Sequence, residues 1–386
     1  MNKKDFDMLK NNNSFLDNGA TTLTPNSVIE SMNEYYRSYT SNIHRGDYDA
    51  AIKTNEVYDS TRDVIKKFVG AKDSDKVIYT SGTTMSLNLV IYCFMKYRLK
   101  KGDKVLISLE EHASNVLPWF KLKEDIGIEI DYYSDLDSID SNVKVISLAG
   151  ITNVLGNVRD LEIIGDYCKK NNIYFVVDGA QSVPHMKTEF SKCNIDFLAF
   201  SAHKMCGPTG IGALVVRSEL FSDMKPLFYG GGMNLDFDKS GNYTLHTDES
   251  LFEAGTPAIA EVVGFREAIN YLDSIGMDKI HEYEIELKKY TLDKLSKLDN
   301  ITVYGDSCES GILSFNVNGV FAQDVSIYLN KHKISVRAGN HCAKLVHNII
   351  GVKNSVRVSF YFYNDYEDID KLVKALDNDN ILEEVI

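Results

Sequence analysis

Several features are missing from this chain of 386 residues. Its six cysteines (93, 168, 193, 206, 308 and 342) are scattered and form no Cys-x-x-Cys pair. That pattern indicates neither a disulfide framework nor a zinc cage, and it fits reduced thiols of a cytoplasmic protein. No stretch approaches the ~18 consecutive apolar residues that a membrane span needs. The opening Met-Asn-Lys-Lys-Asp-Phe-Asp-Met is polar, so no signal peptide is expected. A basic excess is also absent. With 42 Lys and Arg against 55 Asp and Glu, the net charge is −13, which argues against nucleic-acid partners. Neither an internal repeat nor a low-complexity linker is visible.

What is present is ordinary for a soluble enzyme: 44% hydrophobic and 25% charged residues. Short apolar runs at 104–109, 143–148, 173–178 and 196–201 read as buried strands of a parallel sheet. Amphipathic or turn-rich stretches such as 160–171 separate them, giving the βαβ rhythm of an α/β domain. From about Glu261 the pattern changes. One long helical run to Leu298 precedes strands at 312–317 and 355–362 and a closing helix from about Glu367. The expected architecture is a large domain over 16–260 and a smaller α+β domain over 261–386, joined by an N-terminal arm over 1–15.

Candidate functional residues fall at the ends of those strands. Val77–Thr80 leads through Ser81-Gly82-Thr83-Thr84 into a helical pattern, so backbone N–H groups, a helix dipole and the hydroxyls of Thr83 and Thr84 meet at one point. Such a turn can cradle a phosphate, or it can be a simple capped helix start. Asp178 ends a strand, where α/β proteins bind ligands, although it also suits an N-cap. Gln181 follows, as a cofactor contact or a surface amide. Lys204 stands between the strand 196–201 and Gly207-Pro-Thr-Gly210, flanked by Ser201 and His203. Desolvation there would lower its pKa, as a Schiff-base lysine requires; the alternative is a surface lysine. Alternation in Val356-Arg-Val-Ser-Phe-Tyr361 puts Arg357, Ser359 and Tyr361 on one face. An arginine fork there would suit a carboxylate.

The motifs together resemble a known family. Asn42-Ile-His-Arg-Gly46, Gly82-Thr-Thr84, Glu111-His-Ala-Ser-Asn115, Asn153-Val-Leu-Gly156, Asp178-Gly-Ala-Gln-Ser182, His203-Lys204, Phe252-Glu-Ala-Gly-Thr-Pro257 and Arg337-Ala-Gly-Asn-His-Cys342 occur in family order. They are similar to the class V aminotransferase fold, a fold type I transferase that uses pyridoxal 5'-phosphate. More closely, they resemble the SufS-type (group II) cysteine desulfurases. The resemblance implies that Lys204 carries the cofactor, that His112 stacks on its ring and assists proton movement, and that Asp178 pairs with its ring nitrogen. It implies Gln181 on the phenolic oxygen, and Thr84, Ser201 and His203 at the phosphate beside the Thr83 read from the turn, joined by Thr256 of a partner subunit in a homodimer. Asn153, Arg357, Arg337, His44 and Arg45 are implied around the substrate, L-cysteine. No metal is implied.

Cys342 is the implied nucleophile, taking sulfur as a persulfide while the substrate leaves as alanine. A free cysteine is otherwise more often a packing residue, and His341-Cys342 with His347 fits no recognised zinc spacing. The sulfur acceptor implied is a SufE- or SufU-like protein serving iron–sulfur cluster assembly or a related thiolation. A selenocysteine lyase or cystine C–S lyase would share the cofactor site. A non-enzymatic sulfur-carrier scaffold would be expected to have lost one of these groups. Met85, Cys206 and Asn340 depart from residues frequent in the family.

Overall fold

The computed structural model describes residues 3–11, 13–44, 46–378 and 380–385. Its centre is a seven-stranded sheet: β1 (Lys76–Thr80), β2 (Lys104–Ile107), β3 (Glu129–Tyr132), β4 (Val143–Ala149), β5 (Tyr174–Asp178), β6 (Phe197–Ser201) and β7 (Gly212–Val216). The order across the sheet is β1-β7-β6-β5-β4-β2-β3. Only β7 runs antiparallel to its neighbours. The carboxyl ends of β1, β4, β5 and β6 therefore share one edge.

Successive side chains of these strands go to opposite faces, and here both faces are apolar. Val177, Leu198, Phe200 and Val215 pack into one cluster, while Val176, Phe197, Ala199 and Leu214 pack into another. This is why the strands read as continuous hydrophobic runs. Helices Asn26–Ser38, Asp49–Phe68 and Ile259–Ile275 cover the first face together. Gly212 lets two backbones meet, since a Cβ there would lie 2.4 Å from Phe200 O and 2.7 Å from Gly82 Cα.

A second, antiparallel sheet contains β8 (Ile301–Tyr304), β9 (Ile312–Val317), β10 (Arg337–Gly339) and β11 (Ser355–Ser359), in the order β8-β9-β11-β10. Its core joins Leu313, Phe315, Val356 and Val358 to Ile369 and Leu372 of the helix Tyr366–Leu376. That helix starts with a reciprocal cap between Asp365 and Asp368. The start of the chain is sewn into this region: Ser14–Phe15 pairs in parallel with Ile334–Ser335, and Asp17 bridges to Ser359.

Two expected elements differ in extent. The single helical run from 261 is two helices, Ile259–Ile275 and Met277–Leu295, parted at Gly276 with φ 94°. The first packs on the large domain and the second on the helix Tyr366–Leu376, so we place the change of domain at Gly276. The last strand stops at Ser359, and the chain then turns, with Tyr361 N–H donating to Asn364 Oδ1 at 2.9 Å. Among the described residues no helix is long and apolar enough to cross a membrane.

Candidate active site

A cleft opens to solvent between the carboxyl edge of the large sheet and β10–β11. Its large-domain wall is built from strand ends. Asp178 ends β5 and is 3% exposed; one carboxylate oxygen accepts from Ala180 N–H at 2.9 Å. Burial raises its pKa, against the opposing effect of Lys204. Lys204 ends the tight turn Ala202–Lys204 that follows β6. Burial pushes its amine down to about 8, partly offset by Asp178 and reinforced by Arg357 and Arg337. This lysine therefore reaches its neutral, nucleophilic form far more readily than a surface one.

His112 comes from the loop after β2. Its Nδ1 accepts from Ser114 N–H at 3.1 Å. Burial, then the positive charge of Lys204, holds the ring down to about 4, so it is neutral at physiological pH. Glu111 anchors this loop, accepting from Asn115 Nδ2 at 2.8 Å and Ala149 N–H at 2.9 Å. Near Thr83 the chain passes through Gly82 at φ 142°, where any side chain would be strained. Ser201 Oγ accepts from Thr83 N–H at 2.7 Å and lies 2.7 Å from Thr83 Oγ1. Thr84 and Ser114 hydroxyls meet at 2.7 Å. His203 is held down to about 4 by burial and by Lys204.

The opposite wall is positively charged and carries the thiol. Arg357 is 2% exposed and donates to Asn153 O at 2.9 Å and Asp17 Oδ1 at 3.2 Å. Arg337 faces it across the β10–β11 pair. Cys342 lies just beyond β10 and is the exposed one of the six thiols; Cys93, Cys168 and Cys206 are buried. His341 and Cys342 both adopt left-handed backbone, φ 51° and 55°. Two hydrogen bonds from the other wall clasp this turn: Asn153 Nδ2 to His341 O at 2.8 Å and Ala113 N–H to Cys342 O at 2.7 Å. His341 and His347 both turn to Ser355 Oγ, at 3.1 Å each.

The cleft thus gathers Thr83, Thr84, His112, Asn153, Asp178, Gln181, Ser201, His203, Lys204, Arg337, Cys342 and Arg357. It does not gather His44 and Thr256. Those line a separate cleft with Asn42, Gly231, Gly232 and Glu253. Arg45 lies outside the described residues. Sequence reading passed over Asp17 and Gly19. Asp17 pairs with Arg357, and Gly19 O accepts from Gln181 Nε2 at 2.7 Å. A Cβ on Gly19 would come within 3.1 Å of the Arg357 guanidinium carbon. The adjacent Asn18-Gly19 turn was the available signal.

Comparison with known proteins identifies the family. The family model for class V aminotransferases matches residues 14–372. A probable cysteine desulfurase of Ureaplasma parvum is 40% identical over 97% of this chain and 96% of its own. A cysteine desulfurase of Haloferax volcanii is 38% identical, covering 94% and 88%. Among solved structures, the apo cysteine desulfurase of Thermococcus onnurineus superposes with TM-score 0.92 at 35% identity, covering 97% of this chain and 96% of that one. The cysteine desulfurase CsdA of Escherichia coli gives 0.90 at 30% identity, covering 100% and 98%. On this match the chain belongs to the class V aminotransferase family, among its pyridoxal phosphate-dependent cysteine desulfurases.

Proposed function

We propose that this chain moves sulfur from L-cysteine onto Cys342 as a persulfide, with Lys204 as the anchor of pyridoxal 5'-phosphate. One observation carries the reading: an amine lowered to about 8 and an exposed thiol stand on opposite walls of one cleft. The cofactor fits the residues present. Asn153 Oδ1, Gln181 Oε1 and Arg357 Nε are buried without a partner among the described residues, and all three residues line the cleft. Buried polar atoms are normally paired, so this set calls for a polar ligand. Asp178 would meet the ring nitrogen, Gln181 the phenolic oxygen, and Thr83, Thr84, Ser201 and His203 the phosphate.

When bound, the cofactor supplies a ring that takes up negative charge from the substrate's α-carbon. The chain's own residues do the rest. Arg357 grips the substrate carboxylate with a two-toothed fork, steadied from behind by Asp17. Lys204, whose amine is lowered to about 8 and lines the cleft, would serve as the base that takes the α-proton. His112, neutral, stacks without adding charge. The Cys342 sulfur attacks the substrate sulfur: an S–S bond forms, the C–S bond breaks, and its electron pair stays on carbon, which takes a proton. L-Cysteine and the thiol become L-alanine and a Cys342 persulfide.

An exposed apolar surface supports a homodimer. Phe228, Tyr229, Phe237 and Tyr243, on and before the hairpin of Asn234–Phe237 and Tyr243–Leu245, are 57–72% exposed. A second copy covering them would bring Thr256 and His44 to its neighbour's cleft, where this chain's own do not reach. We assign the chain to the SufS-type group, acting in the cytoplasm and handing sulfur to a SufE- or SufU-like acceptor for iron–sulfur cluster assembly. The test is incubation with L-cysteine followed by intact-mass and peptide mapping. One added sulfur at Cys342 is expected. Cys342→Ser should retain the absorbance of bound cofactor and lose both adduct and alanine; undiminished alanine from that variant would overturn the role of Cys342.

A further inference from the structure

Behind the cleft, and lining no part of it, is a buried polar cluster that the chemistry above leaves unused. The short helix Ser182–His185 directly follows Gln181. Its last residue, His185, is 3% exposed, and its Nδ1 lies 3.0 Å from both carboxylate oxygens of Glu284. Glu284, fully buried, belongs to the helix Met277–Leu295 of the small domain. Tyr361 packs its ring edge-on against the imidazole, with centroids 4.9 Å apart, and donates its hydroxyl to Pro184 O at 3.0 Å. Tyr361 comes just after β11, which carries Arg357.

The cluster reaches Lys204 as well. The Tyr361 hydroxyl also contacts the buried thiol of Cys206, two residues beyond Lys204. Cys206 N–H donates to Thr22 Oγ1 at 2.7 Å. Three segments therefore converge on one knot: the Asp178–Gln181 turn, the Lys204 turn and the end of the Arg357 strand. Removing a buried charge from water is costly, and one pair seldom repays it in stability. A pair buried at a domain junction is better explained by what it aligns.

We propose that His185, Glu284 and Tyr361 are positioning residues, which set Lys204 and Gln181 in register with Arg357 across the domain junction. The proposal rests on the reading of the cleft as a pyridoxal phosphate site. Loosening the knot lets Arg357 recede and water enter behind Lys204. Burial and the nearby arginines both disfavour positive charge on the Lys204 nitrogen, so weakening them raises its proton affinity.

Two measurements on the loaded protein test this. One is the pH midpoint of the absorbance change of the Lys204-bound cofactor; the other is KM against kcat for L-cysteine. Glu284→Leu should move the midpoint up by at least half a pH unit and raise KM severalfold. Glu284→Gln, which still accepts a hydrogen bond from a neutral imidazole, should restore most of both. Phe315→Leu, a core change elsewhere in the small domain, serves as the control for loss of thermal stability. A Glu284→Leu midpoint and KM equal to those of the control would overturn the proposal. Should Glu284→Leu fail to fold, Tyr361→Phe removes only the hydroxyl and should give a smaller shift of the same sign; no shift overturns the idea. Wild-type protein that takes up no cofactor at Lys204 would instead refute the underlying site assignment.

Discussion

On the large-domain wall of the cleft, reactive groups hang from strand ends: Asp178 closes β5, and Lys204 sits three residues beyond Ser201, which closes β6. Their backbones are fixed by the hydrogen bonds of a seven-stranded sheet. On the small-domain wall, Cys342 sits in two successive left-handed residues that cost about 1 kcal/mol each. Two hydrogen bonds clasp that turn from the opposite wall, while Asn340 and Ser355 hold it from its own domain. The contrast follows the tasks. A cofactor that stays put gains from rigid placement. On the proposed function, a thiol that meets a substrate and then an acceptor would gain from a turn that two hydrogen bonds alone tie to the other wall among the described residues.

The strongest way to break this comparison is on the rigid side. Lys204→Ala should cut alanine formation by about 10²–10⁴-fold, the usual worth of a positioned acid–base group, while leaving the alkylation of Cys342 unchanged. An equal loss of Cys342 reactivity would show that the walls are not independent. Next, Arg357→Lys keeps the charge and loses the fork. KM for L-cysteine should rise about tenfold, the equivalent of ~1.4 kcal/mol, with kcat moving less.

A smaller effect sharpens the other side. Asn153→Ala removes one of the two clasps, and a hydrogen bond worth ~1 kcal/mol predicts an about fivefold faster iodoacetamide reaction at Cys342 without substrate. An unchanged rate would place the hold elsewhere. A further effect concerns stability. In cofactor-free protein the Lys204 amine has its pKa lowered from 10.5 to about 8, so the unfolded chain binds more protons between those values. Stability should therefore rise with pH across that window and fall as pH drops through about 8. Comparing chemical denaturation of wild type and Lys204→Ala from pH 7 to 10.5 isolates this slope from that of Lys288, which is also lowered to about 8.

The large-domain wall was the more legible in sequence. Strand-end chemistry is local: an apolar run followed by Asp178 or by Ser201-Ala-His-Lys204 announces both the strand and where its next side chains go. Arg357 was found by alternation, but Tyr361 was not on that face, because the strand ends at Ser359 and the tyrosine turns into the domain junction. The break at Gly276 was missed because both sides carry helical patterns, and only a positive φ separates them. His44 shares a family motif with the cleft residues, yet no single-chain pattern says that it lies in another hollow beside Thr256, the residue expected at a partner's site. Asp17, Gly19 and the His185–Glu284 pair depend on contacts between segments far apart in sequence, where no local periodicity exists.

The pairing of the chain's beginning with its last strands has a consequence for synthesis. Asn18 donates to Ser359 O across 341 residues of sequence, at 2.6 Å. At a translation rate of about 5–20 residues per second, the segment bearing Asp17 and Gly19 emerges tens of seconds before its partners exist. Until then Asp17 has no Arg357 to brace, and Asn153 and Ala113 have no Cys342 turn to clasp. On the proposed function, which needs Arg357 and Cys342, sulfur transfer is withheld until the last strand leaves the ribosome.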